Sequence, residues 1–187
     1  MARPQNEQLK ARITAAMERQ FLEHGYHETS YRSIAEECGI SRNLVQYHFP
    51  KKEKLAEVFM ESLLKKSMLE LGFSDEDLRG DFKKVKAVGV RYFETLMASS
   101  GSRQFLQDVL SSRDMTDDIL AFNMDWALGA VGITPVVKKN VQRSIVVHMG
   151  GFYELLYWAL RHEEEINLER ELGIVVDAFE EALARTD

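Results

Sequence analysis

Cysteine is nearly absent from this 187-residue chain: Cys38 stands alone, so no disulfide can close within it. A reducing cytoplasm is the expected setting. Proline is almost as scarce, with Pro4, Pro50 and Pro135 only, and Gly-rich linkers, repeats and low-complexity runs are missing. The alternating pattern of half-buried strands does not occur either. There is no long hydrophobic run: the most apolar stretch covers residues 145–160 and contains His148 and Glu154, whereas a membrane span needs roughly 20 apolar residues. The opening MARPQNEQLK has no apolar signal-peptide core. The HExxH, P-loop, GxSxG and CxxC patterns are lacking, and of the five histidines only His24 and His27 lie close together. These absences point away from an enzyme, a metal site, a cofactor and a membrane protein, and toward an all-α cytoplasmic protein.

What is present is 45% hydrophobic and 29% charged residues, the balance of a globular chain. The net charge of −6 by itself disfavours a nucleic-acid partner, but the charge is unevenly spread. Residues 1–66 carry 11 Lys/Arg against 9 Asp/Glu, and residues 67–187 carry 13 against 21. Between Cys38 and Ala56, Arg42, Lys51, Lys52 and Lys54 face one acid, Glu53. A footprint on phosphates needs only this local excess.

Helical periodicity accounts for the whole chain. After an arm at 1–6, a first helix is expected from about Glu7 to His24, with Leu9, Ile13, Met17 and Phe21 on one stripe and Gly25 ending it. A second follows over about 30–38, capped by Thr29 or Ser30, with Tyr31, Ile34, Ala35 and Cys38 inward. Gly39 makes a turn, Ser41 caps a third helix, and Pro50 breaks it. A fourth helix over about 51–71 is shared between an N-terminal domain (1–52) and a C-terminal domain (53–187). Ser74 and the acids behind it open a fifth helix expected to reach Leu96. Ser99–Ser102 reads as a loop, followed by a sixth helix to about Ser112 and a seventh capped by Thr116. Thr134-Pro135 starts an eighth helix to about Arg161, whose second half is apolar all round and so needs cover on every side. Asn167 caps a ninth, to about Ala184.

Two short helices joined by a glycine turn form the layout of a helix-turn-helix unit. On the third helix Val45 and Phe49 point one way, and Arg42, Asn43, Gln46 and Tyr47 the other. Arginine can grip guanine O6/N7 with two hydrogen bonds, and Asn or Gln adenine N6/N7. Leu44 stands where it can touch a thymine methyl. Tyr47, His48, Lys51 and Lys52 suit phosphates, as does Thr29 at the start of the second helix. Lys52 has the added pull of a helix N-terminus.

The run FLEHGYHETSYRSIAEECGISRNLVQYHFPKKEKL closely resembles the N-terminal domain of TetR-family transcriptional regulators. The resemblance rests on Phe21, Gly25-Tyr26, Thr29-Ser30, Ile34-Ala35, Gly39-Ile40-Ser41, Tyr47-His48-Phe49 and Lys52-Glu53 with Leu55, and covers about residues 9–56. It implies an all-α fold of about nine helices and a homodimer joined by the eighth and ninth helices. It further implies a palindromic double-stranded DNA operator and a small-molecule pocket among the fourth to eighth helices. By position, Arg42, Asn43 and Tyr47 would enter the major groove, while Thr29, Ser41, His48 and Lys52 would hold phosphates. Gln46 replaces a frequent tyrosine and Lys51 a small capping residue, so the DNA contacts should differ there.

A regulator needs a signal. Aromatic and Met side chains suit a small apolar or amphipathic ligand, and Tyr92, Phe93, Met97, Phe105, Phe122, Trp126, His148 and Phe152 are the candidates, each of which also suits a core or subunit interface. His148 is the strongly polar side chain within 145–152 and must find a partner. The expected function is a DNA-binding regulator, a repressor released by its ligand. The alternative is a ligand-independent architectural or division-linked DNA binder on the same scaffold.

Overall fold

The structure is a computed structural model and describes residues 2–133 and 139–185. Among the described residues ten helices run in order as α1 (Ala2–Glu28), α2 (Tyr31–Cys38), α3 (Arg42–His48), α4 (Lys52–Glu70), α5 (Asp75–Leu78), α6 (Phe82–Met97), α7 (Ser100–Leu110), α8 (Arg113–Ala130), α9 (Lys139–His162) and α10 (Leu168–Ala184). No strand occurs among the described residues, so the fold is all-α. None of these helices is long and apolar enough to cross a membrane.

The chain forms two compact units. The first comprises residues 1–63 and 95–109, and the second residues 64–94 and 110–187. The helix α4 therefore begins in one unit and ends in the other. The return of 95–109 to the N-terminal unit has no counterpart in the linear split at residue 52 expected from sequence.

In the first unit the stripe of α1 is largely buried: Ile13, Met17 and Phe21 are fully enclosed, while Leu9 is half-buried. No separate arm precedes it, since helical geometry extends to Ala2. Gly25 interrupts α1 with φ 83° and ψ −177°, backbone that strongly favours glycine, and the chain then resumes one more helical turn. The next two helices have the expected caps. Ser30, not Thr29, caps α2 in a reciprocal box with Ser33, Gly39 leaves α2 in the left-handed conformation at φ 61°, and Ser41 caps α3. Phe105 of α7 sits in an aromatic cluster with Phe21 and Phe59, its ring centroid 4.9 and 4.8 Å from theirs.

The second unit departs from expectation in its first half. The run from Ser74 does not continue as one helix. Ser74 and Asp77 close a capping box around four helical residues, Gly80 turns at φ 68°, and α6 begins afresh at Phe82. A strong N-cap signal identified the start of a helix but not its length. Likewise α8 is capped by Ser112; Thr116 lies inside the helix with its hydroxyl donating back to the Ser112 carbonyl at 2.9 Å. In the first unit, α7 starts at Ser100, within the segment expected to be a loop. The Thr134-Pro135 start signal lies outside the described residues. Helices α9 and α10 pack together, and Asn167 caps α10 as expected.

Candidate nucleic-acid interface

A ladder of polar contacts holds α2 against α1. The Arg12 guanidinium donates to the Cys38 carbonyl at 2.6 Å. Glu37 accepts from Arg19 and, at 2.7 Å, from Gln20, whose amide oxygen accepts from Ser33. Burial tends to raise the Glu37 carboxyl, but the bonds from Gln20 and Arg19 outweigh it and its pKa falls below the ordinary value. The end of α3 is tied to the start of α2 by the Tyr31 hydroxyl, which donates to the Phe49 carbonyl at 2.9 Å. With Ile34, Ala35, Cys38, Val45 and Phe49 all buried, α3 has a fixed roll about its axis.

That roll exposes one set of side chains. Arg42, Asn43, Gln46 and Tyr47 all face solvent, Tyr47 with 75% of its surface exposed. Leu44 and His48 are half-buried at its flanks, and the His48 ring meets the Tyr47 ring edge-on at 5.5 Å. A tyrosine standing in solvent is unusual for a side chain that gains by burial, and it is adjacent to donors able to read base edges. The Ser41 hydroxyl accepts from Leu44 N at 3.3 Å and retains its own proton for a phosphate oxygen. Lys51, beyond the other end of α3, is also exposed.

Two sequence-predicted phosphate contacts are differently placed. Thr29 is 1% exposed, and its hydroxyl donates to the Gly25 carbonyl at 2.8 Å. Its side chain stabilises the bend after α1 and does not stand at the surface. Lys52 is half-buried: its ammonium lies 4.2 Å above the Tyr26 ring and donates to the His27 carbonyl at 3.4 Å. Burial lowers the Lys52 pKa against the pull of Asp108, Glu53 and Glu28. Burial, reinforced by Glu53 and Tyr31, raises the Tyr26 phenol to about 12.

Asp108 is the residue that sequence reading missed. It is a carboxylate in the buried face of α7, and it accepts from Tyr26 N at 3.1 Å, His27 N at 3.0 Å and Gln104 Nε2 at 2.7 Å. It satisfies the amides exposed where Gly25 breaks α1. Such bonds to a charged acceptor are among the stronger ones in proteins. Nothing in the local sequence distinguishes Asp108 from a surface acid, because its backbone partners Tyr26 and His27 lie 82 and 81 positions away.

The candidate effector residues divide among several places. Tyr92, Phe93 and Trp126 line a cavity of about 70 Å³ within the second unit. Phe152 packs behind it, edge-on to Phe93 at 4.9 Å. Phe105 and Met97 belong to the first unit, because the segment 95–109 packs with α1. Phe122 is half-buried on α8 and does not line the cavity. His148 finds its partner in its own helix: Nδ1 lies 2.8 Å from the Ser144 carbonyl, beside a second cavity bounded by Ala178, Glu181 and Arg185 of α10 and its end. The first cavity contains two polar features absent from the expectation. Asn123 donates to the Tyr153 hydroxyl at 2.5 Å, and the fully buried Tyr92 hydroxyl has no hydrogen-bond partner among the described residues. A buried unmet group of this kind costs on the order of 1–3 kcal/mol.

Comparison with known proteins agrees with this geometry. Residues 13–58 match the family described as bacterial regulatory proteins, tetR family. The probable HTH-type transcriptional regulator ArpR of Pseudomonas putida is 24% identical over 143 residues, covering 74% of this chain and 68% of that protein. The uncharacterized HTH-type transcriptional regulator YerO of Bacillus subtilis is 37% identical over 146 residues, covering 75% of this chain and 47% of that protein. In fold, the chain is similar to a TetR transcriptional regulator from Rhodococcus sp. RHA1, with a TM-score of 0.68 at 14% identity over 97% of this chain and 99% of that one. The helix-turn-helix signature and these relatives make the chain similar to TetR-family transcriptional regulators, with the family match resting on residues 13–58 and the likeness of the remainder being one of fold.

Proposed function

We propose that this protein is a repressor that binds a palindromic operator as a homodimer and leaves it when a small molecule enters the second unit. The observation that carries the reading is the solvent-facing row on α3 of Arg42, Asn43, Gln46 and Tyr47, held at a fixed roll by Val45 and Phe49. Arg42, Asn43 and Gln46 supply the bidentate donors and acceptors that distinguish base pairs in the major groove. Ser41, His48, Lys51 and Lys52 flank them with groups that suit phosphates, which position the helix without specifying sequence. Gln46 adds a further group able to read a base edge.

Pairing of two copies through α9 and α10 is supported by an exposed apolar strip there. Val146, Val147 and Trp158 on α9 and Ile174 on α10 are each about half exposed or more, and apolar strips on otherwise charged surfaces mark interfaces. A two-fold pair presents two α3 helices, and successive major grooves on one side of DNA repeat every ~34 Å. A ligand shifts the dimer off its operator only by its differential affinity for the two forms.

The test is selection of bound sequences from a random duplex library by the purified full chain. The expected result is an inverted repeat whose half-sites lie about one or two helical turns apart. Recovery of unrelated sequences, or of a single non-repeated half-site, sinks the reading.

A further inference from the structure

We propose that the cavity of the second unit takes a compact, uncharged molecule that presents one acceptor oxygen to the Tyr92 hydroxyl. This rests on the ligand-responsive reading above and assigns the chemical class of the ligand. The cavity wall is almost wholly apolar, built by Val85 and Gly89 of α6, Trp126 of α8, Met149 of α9 and Phe179 of α10 among others. Apolar walls take apolar ligands, and a few placed polar groups fix their orientation. Among the polar side chains on the wall are Tyr92 and Asn123. Tyr92 is 1% exposed and its hydroxyl is unmet. Asn123, 7% exposed, lines the same cavity with one amide hydrogen committed to Tyr153. A phenol is a better donor than acceptor, and an unmet buried donor gains most from a carbonyl or ether oxygen.

Charge is disfavoured. The charged side chain on the wall is Lys86, and its ammonium lies 2.5 Å from the Glu169 carboxylate. Among the described residues no uncommitted cation lines the cavity to meet an anionic ligand, and an unpaired charge in an apolar cavity is expensive. Burial and the neighbouring Tyr153 also keep the Tyr92 phenol protonated, so it stays a donor. Size is limited by the cavity of about 70 Å³. Met124 and Met149 line it, and their unbranched side chains repack readily enough to admit a single ring.

Three probes share one skeleton: acetophenone carries a carbonyl oxygen, cumene a methyl in its place, and benzoate a charged carboxylate. Binding to the full chain is measured by calorimetry, in wild type and in Tyr92→Phe. Acetophenone should bind about tenfold more tightly than cumene, the worth of one hydrogen bond to an unmet donor, and benzoate should bind no better than cumene. Tyr92→Phe should erase the acetophenone preference while its melting temperature holds or rises, because it removes an orphaned hydroxyl without opening the core. A preference that survives in Tyr92→Phe, tighter binding of benzoate, or no binding by acetophenone to a protein that still selects its operator each overturns the proposal. Tyr92-dependent binding of acetophenone that leaves operator affinity unchanged supports the site and counts against ligand release, so the two readings fail separately.

Discussion

At the scale of single residues, the side chains around α3 divide by what they touch. Arg42 is exposed and adds little to the fold, so its loss should be felt at the DNA. Arg42→Ala should weaken the selected operator by about 1–3 kcal/mol and relax preference at one base pair of each half-site. Lys51 and Lys52 are neighbours in sequence but different in kind. Lys51→Ala should lower the salt slope of binding by about one without changing the melting temperature. Lys52→Ala should also lower the melting temperature, because the Lys52 ammonium covers the Tyr26 ring and holds the His27 carbonyl. Fluorescence anisotropy at several salt concentrations, with calorimetric melts of the same proteins, checks all three. Equal salt slopes for wild type and Lys51→Ala would remove Lys51 from the phosphate contacts.

At the scale of elements, α7 is the helix whose placement matters most. Gly101 brings its backbone against α1: an added Cβ would collide with the Leu22 carbonyl oxygen and the Glu23 carbonyl carbon. Backbone cannot yield as a side chain can, so Gly101→Ala should displace α7 and strip Asp108 from Tyr26 N and His27 N. The expected cost is about 2–4 kcal/mol, from overpacking and lost hydrogen bonds together. Gly89 on α6 is the control. Its added Cβ would meet Leu172 Cδ1 at 3.7 Å, an ordinary contact. Gly89→Ala should therefore stabilise by about 0.5–1 kcal/mol through helix propensity, while trimming the cavity that Gly89 lines. Urea titrations of both variants test the pair, and a Gly101→Ala protein as stable as wild type would refute the tight α7–α1 approach.

At the scale of the whole molecule, the exposed strip on α9 and α10 predicts association. Light scattering should find a dimer at micromolar concentration. Val147→Glu with Ile174→Glu should shift it toward monomer and lower operator affinity by at least about tenfold, since two half-sites are then bound independently. A double variant that remains dimeric with full affinity would place the interface elsewhere. The second cavity, around His148, lies on this α9–α10 pair, so the polar residue expected from sequence to need a partner is near the strip as well as bonded within its own turn.

Much of this molecule was legible before any coordinates. The short-range rules determined the all-α class, a cap at Thr29 or Ser30, the caps at Ser41, Ser74 and Asn167, the turn at Gly39 and most of the buried stripe of α1, because each depends on residues three or four positions apart. The exposed face of α3 was legible for the same reason: with Val45 and Phe49 buried, the opposite side of the helix is decided by geometry alone. Only the tertiary structure placed 95–109 with α1, removed Thr29 from the surface, lodged Lys52 on Tyr26 and made Asp108 the acceptor for a broken helix end. It also separated Met97 and Phe105 from the cavity and left the Tyr92 hydroxyl unmet inside it. These outcomes depend on which distant segments share a core, and composition and periodicity are the same for every way of packing amphipathic helices together.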